Sequence, residues 1–301
     1  MNDTYIIPIV GSVSGANNTR WSSELYVFNP QRHALRVTAV YLPSGGGEGR
    51  EIDFNVQPNQ TAFTPNLVDD LFSRSGTGGL ILAVFPEKNP GVPDDVLSRA
   101  FVTSTKNFNN ASSGTFSQKV EGVWAGLQDV DFDGISAVSA GVRENGTLLT
   151  GYRTNVGAVN LGRGAVRVYL DVFDANGLKV GSALALDVPP LGHIQDRLPV
   201  ALSVGSIEFY VQDPFVDDPQ RRAMVFPYAT VIDNRSGDPL FLSPTLLAAA
   251  GDLFKEGAQA KRSQPKQLDL EMARRAMEGA KSLGEARLVP DAETGMMKIV
   301  R

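Results

Sequence analysis

Trp21-Ser-Ser-Glu-Leu-Tyr-Val-Phe-Asn29-Pro30 and Tyr152-Arg-Thr-Asn-Val-Gly-Ala-Val-Asn160-Leu161 are the stretches whose reading decides the fold. Each is a strand-like run with an aromatic start and an Asn end. The run that follows the first, Ala34-Leu-Arg-Val-Thr-Ala-Val-Tyr-Leu42, returns as Ala165-Val-Arg-Val-Tyr-Leu-Asp-Val-Phe173 at the same offset of 131 residues. A self-similarity held at fixed spacing is the signature of a duplicated structural unit.

Working outward, the correspondence continues on both sides. Gly78-Gly-Leu-Ile-Leu-Ala-Val84 matches Gly205-Ser-Ile-Glu-Phe-Tyr-Val211, and Arg99-Ala-Phe-Val102 matches Arg222-Ala-Met-Val225. The closing turns Asn109–Gly114 and Asp233–Gly237 correspond after one inserted residue. Within a copy, Ile52, Phe54 and Val56 alternate with polar residues in the period of a half-buried strand. Asn176-Gly177 is a hairpin turn signal. Thr64-Pro65 opens a short helix with Leu67, Leu71 and Phe72 on one face. About seven strands per copy, without strand–helix–strand alternation, predict an all-β chain of two tandem antiparallel β-sandwiches, Ig-like or jelly-roll-like. The expected division is 1–125, 126–250 and a tail, 251–301.

The tail belongs to neither copy. Gly251–Gln267 reads as a linker and Leu268–Leu283 as an amphipathic helix, with Glu271 supporting Arg275 one turn on. Leu288–Val300 reads as a terminal hairpin. A lone amphipathic helix cannot bury its own stripe. It docks on the sandwiches, pairs with another chain, or frays. If the tail meets a partner, the contacts fall on Met272, Ala276, Met277, Leu283, Met296, Met297 and Ile299. A protein partner or self-association is therefore expected.

The charge balance narrows the partner. Residues 251–301 carry 10 Lys and Arg against 8 Asp and Glu, which leaves 18 against 25 on residues 1–250. An acidic body disfavours nucleic acid, whose affinity rests on neutralising phosphates. No run approaches the ~18 apolar residues of a membrane helix. There are no cysteines, so disulfides and thiolate chemistry are excluded. The start, Met1-Asn-Asp-Thr-Tyr, has no signal-peptide character; with strand character from Tyr5, a removed export signal and an envelope or extracellular location are the expectation.

Candidate chemistry sits where the copies differ. Asp129-Val-Asp131-Phe-Asp133-Gly134 spaces carboxylates as calcium loops do. Asp129, Asp131 and Asp133 are the candidate ligands, with calcium the only cofactor suggested, against the plainer reading of a solvated acidic joint. An EF-hand is excluded, because its twelfth position is Ala140. His33 and His193 read as surface or turn residues, and neither lies near a nucleophile elbow. Asp69-Asp70, Asp94-Asp95 and Asp217-Asp218 read as solvated charge rather than as a glycosidase pair. Trp21, Tyr26, Phe28, Tyr41 and Trp124 could furnish a sugar-stacking platform.

The Thr19–Pro30 strand, its Arg153–Asn160 version and the closing Asp233–Pro239 turn resemble a set of uncharacterised bacterial exported proteins with tandem Ig-like repeats. The resemblance covers about residues 5–245. It implies tandem sandwiches and an envelope or extracellular location, and it supplies no activity or catalytic residue. A non-catalytic structural or adhesive protein is the expected function. A carbohydrate-binding module is the second reading, and a carboxylate glycosidase the third.

Overall fold

The computed structural model of the chain describes residues 3–15, 19–92, 100–111, 114–124, 136–147, 149–212, 224–247 and 273–301. The first copy supplies β1 (Asp3–Ser14), β2 (Arg20–Phe28), β3 (Leu35–Pro43), β4 (Arg50–Val56), β5 (Thr61–Thr64), α1 (Leu67–Phe72), β6 (Gly76–Val84), β7 (Val102–Ala111), β8 (Gly114–Val120) and β9 (Val123–Trp124). The second supplies β10 (Ser136–Glu144), β11 (Tyr152–Asn160), β12 (Val166–Asp174), β13 (Leu184–Val188), β14 (Gly192–Arg197), β15 (Leu202–Gln212), β16 (Val225–Asp233), β17 (Pro239–Leu242) and β18 (Thr245–Leu247). The tail adds β19 (Lys281–Pro290) and β20 (Met297–Val300). The chain is all-β.

The second copy forms two sheets, β13-β12-β15-β10-β18 and β14-β11-β16-β17, with one apolar core shared between them. The first copy repeats both orders strand for strand, as β4-β3-β6-β1-β9 and β8-β7-β2-β5. The duplication read in the sequence is thus a duplication of topology. The turn after the repeated Asn is braced identically. Asn29 donates to the carbonyls of His33 (2.8 Å) and Val56 (2.9 Å) and accepts from the Gln31 N–H (2.9 Å). Asn160 donates to Gly164 (2.8 Å) and Pro189 (3.2 Å) and accepts from Gly162 (2.8 Å). Both side chains are fully buried, so each bond satisfies a group that water cannot reach.

Two tandem antiparallel sandwiches were expected, and the first copy departs from that. Its two sheets are joined on both flanks. On one flank β1 leaves β6 and pairs with β2 through Ser12–Ser22 and Val13–Trp21. A register shift between Ile7 and Val10 bends the strand, and Pro8, which has no N–H to donate, falls inside it. On the other flank the β19–β20 hairpin is inserted, β19 parallel to β4 and β20 parallel to β5. The ring β2-β5-β20-β19-β4-β3-β6-β1 closes as an eight-stranded, barrel-like sheet. Closure removes exposed edges. Ile299 and Ala286 enter the barrel core beside Phe54, Leu82 and the α1 residues Leu67, Leu71 and Phe72.

Helix was expected through Leu283. It occupies 273–278 of the described residues, and strand begins at Lys281, whose N–H donates to the Gly49 carbonyl at 2.8 Å. Ala273 and Ala276 are buried against the second copy's core. Arg274 reaches Glu87 of the first copy at 3.1 Å, while Glu278 pairs with Arg163 of the second. The tail therefore clasps the joint between the copies before it completes the barrel.

The copies pack face to face. Ile6, Val40, Leu42, Ile81 and Ala83, on the outside of the barrel, share a core with the second copy. Burial on both faces explains why Gly78–Val84 reads as a continuous apolar run rather than an alternation. At Gly79 an added Cβ would lie 2.5 Å from Val159 Cγ2, so glycine is what lets the two surfaces meet there.

Candidate functional site: the open flank of the second copy

Hydrogen bonds and charge fix the strand that β4 accepts. Arg36 joins Asp53 on β4 (2.9 Å) to Glu285 on β19 (2.6 Å). Lys88 reaches Glu51 at 2.7 Å, Asp53 at 2.9 Å and the Thr38 hydroxyl at 3.2 Å. Burial by itself raises the Asp53 carboxyl. Hydrogen bonds from Thr38 and Lys88, the Lys88 charge and the Arg36 hydrogen bond outweigh it, so the net shift is downward and the group is held ionised.

The equivalent of β4 in the second copy is β13, and it has a strand on one side only among the described residues. Its bare side can be assigned. Bonds alternate along an antiparallel ladder, and on this side of β12 the Val172 carbonyl accepts from Val180 (2.8 Å). The Val168–Leu186 and Leu170–Leu184 pairs share that parity and face inward to β12. The N–H and C=O of Ala185 and Asp187 therefore point outward, as Gly49 does toward β19 in the first copy. Ala185 and Asp187 are exposed, and Asp187 is tied to Arg167 at 2.7 Å, on the rim. Across the flank, the edge of β14 takes one parallel bridge, Ser44–His193, closed by the Gly45 N–H on the His193 carbonyl (2.8 Å).

His193 was expected in a surface turn, and this is a correction. It lies on β14, fully buried between the copies. The alternation of β14 turns it toward the barrel, where its Nε2 lies 2.8 Å from the Tyr228 hydroxyl. That hydroxyl donates to Gln195 Oε1 at 3.0 Å, so the imidazole Nε2 carries the proton and Nδ1 is left as a buried acceptor with no partner. Burial pushes the imidazole down to about 3 and the Tyr228 phenol well up. Neither group exchanges protons near neutral pH.

The remaining candidates fall in several places. Asp129, Asp131, Asp133, Met272 and both the Asp94-Asp95 and Asp217-Asp218 pairs lie outside the described residues. Among the described residues no cluster of three or more His, Asp or Glu could hold a metal ion. Ala276 is buried and Met277 half-buried over the joint; Leu283, Met296 and Met297 are half-buried along the hairpin, and Ile299 is in the barrel core. These tail contacts are made within the chain. Asp69 is exposed on α1, while the Asp70 carboxylate accepts from Thr64 at 3.0 Å. Tyr41 is buried and stacks on Phe72, whereas Trp21 and Tyr26 stay half-buried. No described helix is long and apolar enough to cross a membrane.

No protein-family model matches the chain, and no curated protein is similar to it. A crystal structure described as a "putative secreted protein" from Parabacteroides distasonis ATCC 8503 aligns over 81% of this chain and 88% of its own, at 10% identity and a TM-score of 0.19. A TM-score that low carries no argument about fold or function.

Sequence reasoning did not find the flank. The signal was an asymmetry: one hairpin serves two copies, so among the described residues one of two equivalent edges receives no strand.

Proposed function

We propose that this chain is a non-catalytic structural or adhesive protein of the cell envelope or extracellular space, built on a duplicated Ig-like sandwich, that assembles by accepting a strand on β13. The observation that carries the reading is the asymmetry between equivalent edges. β4 is covered by a parallel strand, and β13 presents the same outward backbone groups with no strand on them among the described residues. A bare edge is a template for strand addition. A second copy of the chain is the simplest occupant, because the chain already shows this mode of pairing on β4. The burial of His193 fits a packing role better than a proton-transfer one.

Ala185→Pro tests the proposal. Proline at this position removes only the outward N–H and leaves the β12 ladder intact. The wild-type mass measured by light scattering should rise with concentration, and the variant should stay monomeric with an unchanged melting temperature. A wild type that is monomeric at every soluble concentration, or a variant that assembles equally well, refutes it.

A further inference from the structure

Between the outer face of the four-stranded sheet of the second copy and the barrel lies a cavity of about 260 Å³. Its floor on the barrel side is satisfied internally. The Gly11 N–H donates to the Ser23 hydroxyl (2.7 Å), Ser23 to Asn107 Oδ1 (2.5 Å), and Asn107 to the Ile9 carbonyl (3.3 Å). Other polar groups in the wall are not. Gln118 is nine-tenths buried, and its Oε1 has no hydrogen-bond partner. Gln195 uses Oε1 to accept from Tyr228, which leaves its amide N–H groups unused among the described residues. The half-buried Asn155 amide also has no partner among the described residues. The buried, unpartnered Gln118 Oε1 costs the fold stability, and its convergence with the half-buried amides of Gln195 and Asn155 on one cavity is what a ligand site has and a packed interface lacks.

The charge in the wall is one-sided. Arg153 is the only charged residue lining the cavity among the described residues. It spends one N–H on Asn234 Oδ1 and has no carboxylate partner among them. Desolvation and the neighbouring Arg197 charge lower its pKa, and the Glu144 charge only partly opposes them. A half-buried guanidinium with free donors is a bidentate receptor for a carboxylate. Trp21 and Ile232 give the same cavity an apolar side, and flat apolar surface packs against the ring face of a sugar. The volume suits one pyranose ring, and the site lies apart from the β13 edge.

We infer that this cavity binds a small hydroxylated carboxylate of the uronic-acid class. Its carboxylate pairs with Arg153, its hydroxyls meet Gln118, Gln195 and Asn155, and its ring lies against Trp21 and Ile232.

The test uses the full chain and sodium glucuronate as the probe, with glucose and sodium acetate as comparators, followed by calorimetry. Glucuronate should saturate in the micromolar-to-millimolar range, with glucose and acetate each at least about tenfold weaker. Arg153→Gln should weaken glucuronate by about tenfold or more. Gln118→Leu separates binding from folding. It removes an unsatisfied buried atom, so the melting temperature should hold or rise while glucuronate affinity falls. No saturable glucuronate binding overturns the inference, as does Arg153→Gln binding like wild type. Glucose matching glucuronate overturns the carboxylate assignment, and acetate matching it reduces the site to a plain anion pocket. A Gln118→Leu variant that loses stability and keeps affinity would show the residue to be structural.

Discussion

Ile299→Ala probes the least expected feature of the fold, the closure of the first barrel by the far end of the chain. Ile299 is fully buried, pairs with Leu288 across the hairpin, and belongs to the barrel core. The substitution deletes three carbons, worth about 0.8 kcal/mol each in lost burial. The cavity left among Phe54, Leu82 and α1 adds to that, giving about 2–5 kcal/mol. Because β20 meets β5 through only Met297–Ala62 and Lys298–Phe63, the loss should fall first on the hairpin. Urea unfolding should show the destabilisation, and amide exchange should show β19, β20 and the facing edges of β4 and β5 losing protection before β10–β18 do. Leu240→Ala on the exposed part of β17 is the control and should change stability by less than about 0.5 kcal/mol. The chain has no cysteine, so a Phe63→Cys/Lys298→Cys pair can report where the hairpin sits. Oxidation should give a cross-linked monomer. An Ile299→Ala variant as stable as wild type, or a cross-linked dimer in its place, refutes closure in cis.

Two further outcomes follow from buried charge. The folded His193 stays neutral down to about 3, while an unfolded histidine takes a proton below roughly 6.5. The unfolded state therefore binds more protons across that window, so stability should fall on acidification by about 1.4 kcal/mol per pH unit from this group. Urea midpoints between pH 7 and 4.5 should show a flatter dependence for His193→Gln, whatever its absolute stability; parallel slopes would refute the burial argument. Lys88→Met leaves Glu51 buried without its cation and Asp53 with Arg36 alone, and should cost about 3–5 kcal/mol. Adding Asp53→Asn should recover part of it, and a fully additive double variant would show the groups to be independent.

Much of the scaffold was legible because it is local. The strand runs, the break after Asn29 and the short α1 helix follow from patterns within a copy. Failures began where a long-range surface overrode local preference. Lys281–Leu283 continues helix-compatible residues, and only the β4 edge turns it to strand. His193 follows Pro189-Pro190, a loop signal, and only the barrel packed against β14 buries it. The cavity around Arg153 was illegible for a related reason: its walls are gathered from residues spread between Ile9 and Ile232, which no spacing rule connects.

The sequence by itself determined that one unit is made twice, since strand runs that match at one fixed offset place the same side chains on the same faces of two units. Only the tertiary structure decided that the two units differ. A single terminal hairpin can join the two sheets of one copy and not of both, because its two strands can saturate only one pair of facing edges. That choice makes the first copy a closed, barrel-like sheet, leaves β13 of the second with a strand on one side only among the described residues, and brings the two copies together around a polar cavity.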